Sequence, residues 1–225
     1  MQTEFYHVLN RGVEKRKIFM DSRDYQRFIH DLEVFNSIER VDPNHRYNKE
    51  NARNMDIGCP YSRGEQLVQI HFFCLMPNHY HLMLSPLVEG GVSLFMKKIN
   101  MGYAKYFNER YERSGSLFQG KYKSVHVTSD AHFMYLPFYI HLNPLDLTTP
   151  EWRKGEIPSL EHVEELLSKY KWSSHLDYSG KSNFASVTDR TFFLNYFGGT
   201  DGYTKALQSY LKKFDMLHLS GVTLE

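Results

Sequence analysis

Apolar and polar positions change period several times along the chain, and each change marks an element. Glu4-Phe5-Tyr6-His7-Val8-Leu9 reads as a strand closed by Asn10-Arg11-Gly12. Tyr25, Phe28, Ile29, Leu32 and Phe35 recur at helical spacing, predicting a helix capped by Asp21 or Ser22 and running to about Ile38. Residues 40–66 are polar, rich in turn formers and without period, as in a long loop or insertion. From Leu67 to Ser85 two apolar, β-prone runs flank Pro77-Asn78, the pattern of a β-hairpin.

A second helix fits Val92 to Tyr111, with Phe95, Ile99, Tyr103 (or Met101), Tyr106 and Phe107 on one side. After Ser114-Gly115-Ser116, the segments Leu117-Phe118-Gln119 and Tyr122 to Val127 read as a further strand. Ser129 or Asp130 caps a helix that Asn143-Pro144 ends, and Pro137 inside it is expected to kink or break the turn. The order β-α-β-β-α-β-α is that of an α+β protein, an antiparallel sheet with helices on one face. Beyond Pro150 a short acidic helix at 161–167, Trp172-Ser173-Ser174-His175 and a closing helix around Tyr203 to Phe214 form a mostly helical extension. We divide the chain into a core of residues 1–148 and an extension of 149–225.

Composition narrows the class. With 225 residues, 41% hydrophobic and 24% charged, and a mean hydropathy of −0.52, disorder, collagen-like repetition and a multi-span membrane protein are excluded. Cys59 and Cys74 make no disulfide framework, and the first residues hold no secretory-like apolar stretch, so the cytoplasm is the expected location and no membrane partner is expected. Net charge is only +1, but seven basic residues (Lys97, Lys98, Lys105, Arg110, Arg113, Lys121, Lys123) face two acids between Lys97 and His126. Aromatics interleave with them. Two readings of that stretch stand: a surface that neutralises phosphates and stacks bases, or an amphipathic helix with an aromatic core and solvated lysines.

Strand alternation puts His79, His81 and Met83 on one face and Tyr80, Leu82 and Leu84 on the other. Two imidazoles about 7 Å apart along a strand suit one metal ion, although ordinary half-exposed polar positions give the same pattern. Tyr139 and Asn143, four residues apart, share a helical face and would add a phenol nucleophile and a carbonyl ligand. An aromatic helix core is the competing reading of Tyr135, Phe138 and Tyr139. A zincin, a phosphate-binding glycine loop and a serine hydrolase are set aside for want of their motifs.

Taken together, MPNHYHLML, GSLFQGKYKS and YIHLNPL resemble the REP-associated tyrosine transposases, of the single-tyrosine HUH endonucleases. The likeness spans Tyr6 to about Leu145, with Asn10-Arg11-Gly12 similar to the segment after the family's first strand. Lys171 to Gly198 is similar to these proteins' C-terminal extension. The resemblance implies a ferredoxin-like or RRM-like sheet and a divalent ion, Mg²⁺ or Mn²⁺, held by His79, His81 and Asn143. It implies Tyr139 as the nucleophile, with Tyr135 as the fallback. The implied reaction is cleavage of single-stranded DNA beside a hairpin, leaving a 5′-phosphotyrosine and a free 3′-hydroxyl. Arg11 and Gln119 then join the seven basic residues as candidate DNA contacts, and the protein is either monomer or homodimer. The rival readings are a hairpin-DNA-binding protein of the same fold without catalysis and an RRM-like RNA binder, whose stacking signature is absent.

Overall fold

The first strand shows how this sheet is assembled. Tyr6–Arg11 (β1) runs two residues beyond its expected end because Asn10 and Arg11 still pair with Tyr80 and His79. In this computed structural model, which describes residues 4–39, 65–154, 156 and 159–218, β1 lies between Lys123–His126 (β4) and His79–Pro86 (β3). Val68–Met76 (β2) completes an antiparallel sheet in the order β2-β3-β1-β4. Almost all of the expected insertion at 40–66, Cys59 included, lies outside the described residues.

Helix α1 (Ser22–Val34) starts where expected, the Asp21 carboxylate accepting from the amides of Arg23 and Asp24. It stops four residues before Ile38. Asn36 accounts for that: its side chain donates to Val68 O at 2.8 Å and accepts from the amides of Leu67 and Val68 at 3.1 and 3.0 Å, drawing the chain off the helix and onto β2. Helix α2 (Gly91–Arg110) buries Phe95, Met96, Ile99, Tyr103 and Phe107, whereas Met101 is 64% exposed, so Tyr103 is the core residue at that turn. Gly102 lets α2 approach: a Cβ there would stand 2.4 Å from the Phe35 ring.

The expected strand over 117–127 is shorter than its pattern. Leu117 and Phe118 turn inward, with only a bridge from Phe118 to Gly12, and the ladder resumes at Lys123 after exposed Gly120 and Lys121. Helix α3 (Asp130–Leu142) is capped by Ser129 and continues through Pro137, so of the expected kink or break the break does not occur. Proline removes one bond to the carbonyl of Phe133, and the helix absorbs that loss. Helices α4 (Leu160–Lys169), α5 (His175–Tyr178), α6 (Thr191–Phe197) and α7 (Gly199–His218) follow.

The chain forms two compact units, Met1–Ile70 with Pro77–Val127 and His71–Met76 with Thr128–Glu225. In the first, α1 and α2 cover the sheet face of Val8, Tyr80 and Leu82; Phe28 lies 4.9 Å from Tyr80 and 5.0 Å from Tyr103, ring to ring. The Tyr80 hydroxyl donates to Asn100 at 2.7 Å, so the one polar atom on this large buried ring is paired. In the second, Phe72 stacks on Tyr178 at 4.4 Å and meets Phe193 edge-on at 4.7 Å. Among the described residues, no helix is long and apolar enough to cross a membrane.

Candidate active site

The two histidines of β3 share a face, as alternation requires. Their rings stand 5.0 Å apart, edge to face, and they are 7% and 4% exposed rather than half-exposed. Each has its Nδ1 taken up by a neighbour. His79 Nδ1 lies 2.6 Å from the Oδ1 of Asn78, and His81 Nδ1 lies 2.9 Å from His7 Nε2. Ligating histidines characteristically have one ring nitrogen oriented by such a partner, which fixes the tautomer and leaves the other to bind. Two imidazoles side by side are of a donor type that a divalent ion accepts. Among the described residues no group of three or more His, Cys, Asp or Glu side chains could hold a metal ion.

His7 and Asn78 were missed in the sequence. Asn78 stands in the turn next to His79, a position that signals an Asx contact; His7 becomes visible only once the register of β1 against β3 is known.

The second unit holds the other expected residues together. Tyr139 is half-buried on α3, one turn after Tyr135, whose ring is 5.3 Å away. Asn143 donates from Nδ2 to the carbonyls of Tyr139 and Ile140 at 2.7 and 3.4 Å, closing the helix end on itself. Its Oδ1 accepts from Arg153 Nη2 at 2.9 Å. Arg153 also pairs with Asp146 and lies over the Tyr139 ring, its Cζ 4.9 Å from the centroid. Nothing in the spacing pointed to Arg153, which follows the helix in the 3₁₀ turn Pro150–Lys154. Burial raises the Tyr135 hydroxyl above its ordinary value, aided by Tyr139.

The basic candidates divide by what they touch. Arg110 is bound to Asp21 and Asp24, Lys98 donates to the carbonyls of Ser37 and Glu39, Lys105 faces Glu109 at 3.7 Å, and Arg113 donates to Asn108 while lying over Phe107. Lys97, Lys121, Lys123, Arg11 and Gln119 present their side chains at the surface. Four of the nine thus carry internal bonds that the count of charges did not disclose.

Residues 60–143, which hold His79, His81, Tyr139 and Asn143, match the model of the family described as "Transposase IS200 like". No curated protein matches the chain. Among solved structures it is similar to one described as "Structure of the REP associates tyrosine transposase bound to a REP hairpin", at 13% identity and a TM-score of 0.40, covering 65% of this chain and 68% of that one.

Proposed function

We propose that the protein is a single-stranded DNA endonuclease and strand transferase of the REP-associated tyrosine type, acting beside DNA hairpins. The observation that carries this reading is that the segment matching the IS200-like transposases contains both steadied histidines and the Tyr139–Asn143 pair. The Oη of Tyr139 attacks the scissile phosphorus; the Oη–P bond forms as the P–O3′ bond breaks. The phenolic proton passes to solvent, and the departing 3′ oxygen takes up a proton, so the products are a 5′-phosphotyrosine and a free 3′-hydroxyl. His79 and His81 would hold Mg²⁺ or Mn²⁺ through Nε2, with Asn143 as the oxygen ligand the family resemblance assigns. An ion so held supplies Lewis-acid polarisation of the phosphoryl oxygen. Asn143 Oδ1 accepts one hydrogen bond, from Arg153 Nη2, and its second lone pair is the one it would offer to an ion.

Purified full-length protein is incubated with single-stranded hairpin DNA from the flanks of its own gene, with and without Mn²⁺, and resolved on a denaturing gel. The expected result is a protein–DNA adduct that requires the ion and is absent in Tyr139→Phe. An adduct that survives Tyr139→Phe moves the nucleophile to Tyr135. Hairpin binding with no adduct under any metal makes the protein a binder without catalysis.

A further inference from the structure

Arg153 is bound more thoroughly than an ordinary surface arginine. Its Nε and Nη2 grip the Asp146 carboxylate at 2.9 and 2.8 Å, and the second Nη2 hydrogen reaches Asn143 Oδ1 at 2.9 Å. Trp152 Nε1 donates to the same carboxylate at 2.7 Å, so Asp146 is fixed from two sides. The guanidinium also meets two aromatic rings: its Cζ is 4.9 Å from the Tyr139 centroid and 4.9 Å from the Trp152 centroid. Burial disfavours its charge, yet hydrogen bonds to Asp146 and the interaction with the Tyr139 side chain outweigh that and hold it firmly cationic.

An arginine needed only to neutralise Asp146 would explain the fork and nothing else. This one is also pressed against the expected nucleophile and bonded to the residue one turn beyond it, while a third of its side chain stays open to solvent. The guanidinium also hydrogen-bonds to the Tyr139 side chain, and Nη1 is used by neither Asp146 nor Asn143. Planar guanidinium donors match phosphoryl oxygens in number and geometry, and a cation fixed in place before the reaction stabilises developing phosphoryl charge without reorganising.

We infer that Arg153 is a catalytic residue of the tyrosine centre, its Nη1 donating to a non-bridging oxygen of the scissile phosphate. This inference rests on the strand-transfer reading above. Arg153 holds the phosphodiester against Tyr139 Oη, neutralises the charge that gathers on the non-bridging oxygens as Oη–P forms and P–O3′ breaks, and then pairs with the phosphotyrosine. Asp146, Trp152 and Asn143 are positioning residues that present the guanidinium. The chain beyond α3 thereby supplies part of the reactive centre.

The test is single-turnover adduct formation at saturating hairpin DNA with full-length protein. Arg153→Ala is expected to lose about 100-fold in rate with hairpin affinity little changed, and added methylguanidinium to restore part of that rate. Arg153→Lys, which keeps the charge and the Asp146 pair and so guards against misfolding, is expected to fall between the two because it lacks the planar fork. Undiminished rates in both variants overturn the inference while leaving the strand-transfer reading intact. So does a slower Arg153→Ala whose rate falls only in step with its hairpin affinity and that methylguanidinium does not relieve. Wild-type protein that forms no adduct overturns the strand-transfer reading, and this inference with it.

Discussion

His7 Nε2 and His81 Nδ1 stand 2.9 Å apart across neighbouring strands, although they are not register partners: His7 faces Met83, and His81 faces Leu9. The contact is a diagonal one on a single sheet face, two residues along the ladder. For His81 to present a lone pair at Nε2 its proton must sit on Nδ1, which makes His7 the acceptor and puts the proton of His7 on its own Nδ1. His7→Ala is therefore expected to weaken the apparent Mn²⁺ affinity by about 10- to 100-fold, the usual cost of removing an orienting partner. A Mn²⁺ titration of adduct formation measures it. An unchanged midpoint would show that His7 does not orient a ligand.

Arg110 was expected among the DNA contacts, and the structure gives it a second occupation. It bridges Asp21 at 2.6 Å and fully buried Asp24 at 2.5 Å, and Asp24 also accepts from Tyr106 and Tyr111. Arg110→Ala leaves a buried carboxylate without its cation and is expected to cost about 3 kcal/mol of stability, read by urea unfolding. The hydrogen bond from Arg110 holds the Asp21 carboxyl below its ordinary value of 3.8. A carboxyl depressed on folding adds stability that is present above its unfolded value and is lost as pH falls through the folded one. Wild-type protein should thus lose this increment below about pH 3.8, and Arg110→Ala should lack that part of the acid dependence. Stability unchanged by the substitution would return Arg110 to the candidate phosphate contacts.

How much was legible follows from what each feature depends on. The alternation in His79-Tyr80-His81-Leu82 and the helical spacing of Tyr25, Phe28 and Leu32 are local, so the strand, its two faces and the helix could all be read directly. The early stop of α1 depends on Asn36 reaching Leu67 and Val68, a contact across more than thirty residues that no period records. Arg153 is harder still: it belongs to no motif, and only the fold of 143–153 turns it back over Tyr139. At Pro137 the helix is not broken, because a proline's local cost does not record the burial of Leu136, Pro137 and Phe138 around it.

The second unit carries buried histidines that set its response to acid. Burial pushes His71 and His175 down to about 4, from an ordinary value of 6.5, although His71 lies near Asp189 O and His175 near the Tyr203 hydroxyl. The unfolded chain takes up these protons near pH 6.5 while the folded one refuses them until about pH 4, so it is the unfolded state that binds more protons between the two values. Stability must fall as pH drops through that window, by about 1.4 kcal/mol per pH unit for each histidine, and level off below it. Asp177, raised from 3.8 by burial, works in the opposite sense at the acid end. Thermal unfolding followed from pH 7 to pH 4 should show this slope, and His175→Gln should make it shallower. A melting temperature flat across the window would contradict the burial of these rings.

The basic residues give the last prediction, because two of them that look alike in the sequence are bound differently. Lys98 has its ammonium on the carbonyls of Ser37 and Glu39, at the end of the segment that follows α1, and burial lowers its affinity for a proton. Lys121 and Lys123 are exposed on and beside β4, as is Gln119 just before them. Phosphate neutralisation releases counterions, so each residue that pairs with a phosphate shows in the salt dependence of binding. Lys121→Ala and Lys123→Ala are expected to weaken hairpin binding and to reduce the slope of log affinity against log salt by about 0.7 for each phosphate no longer neutralised. Lys98→Ala should instead lower the unfolding midpoint and leave the salt slope as it is, since the hydrogen bonds it breaks lie within the fold. Fluorescence anisotropy with a labelled hairpin at several salt concentrations separates the two behaviours. If Lys98→Ala flattens the slope and Lys121→Ala does not, the DNA-facing surface lies along α2 rather than at β4.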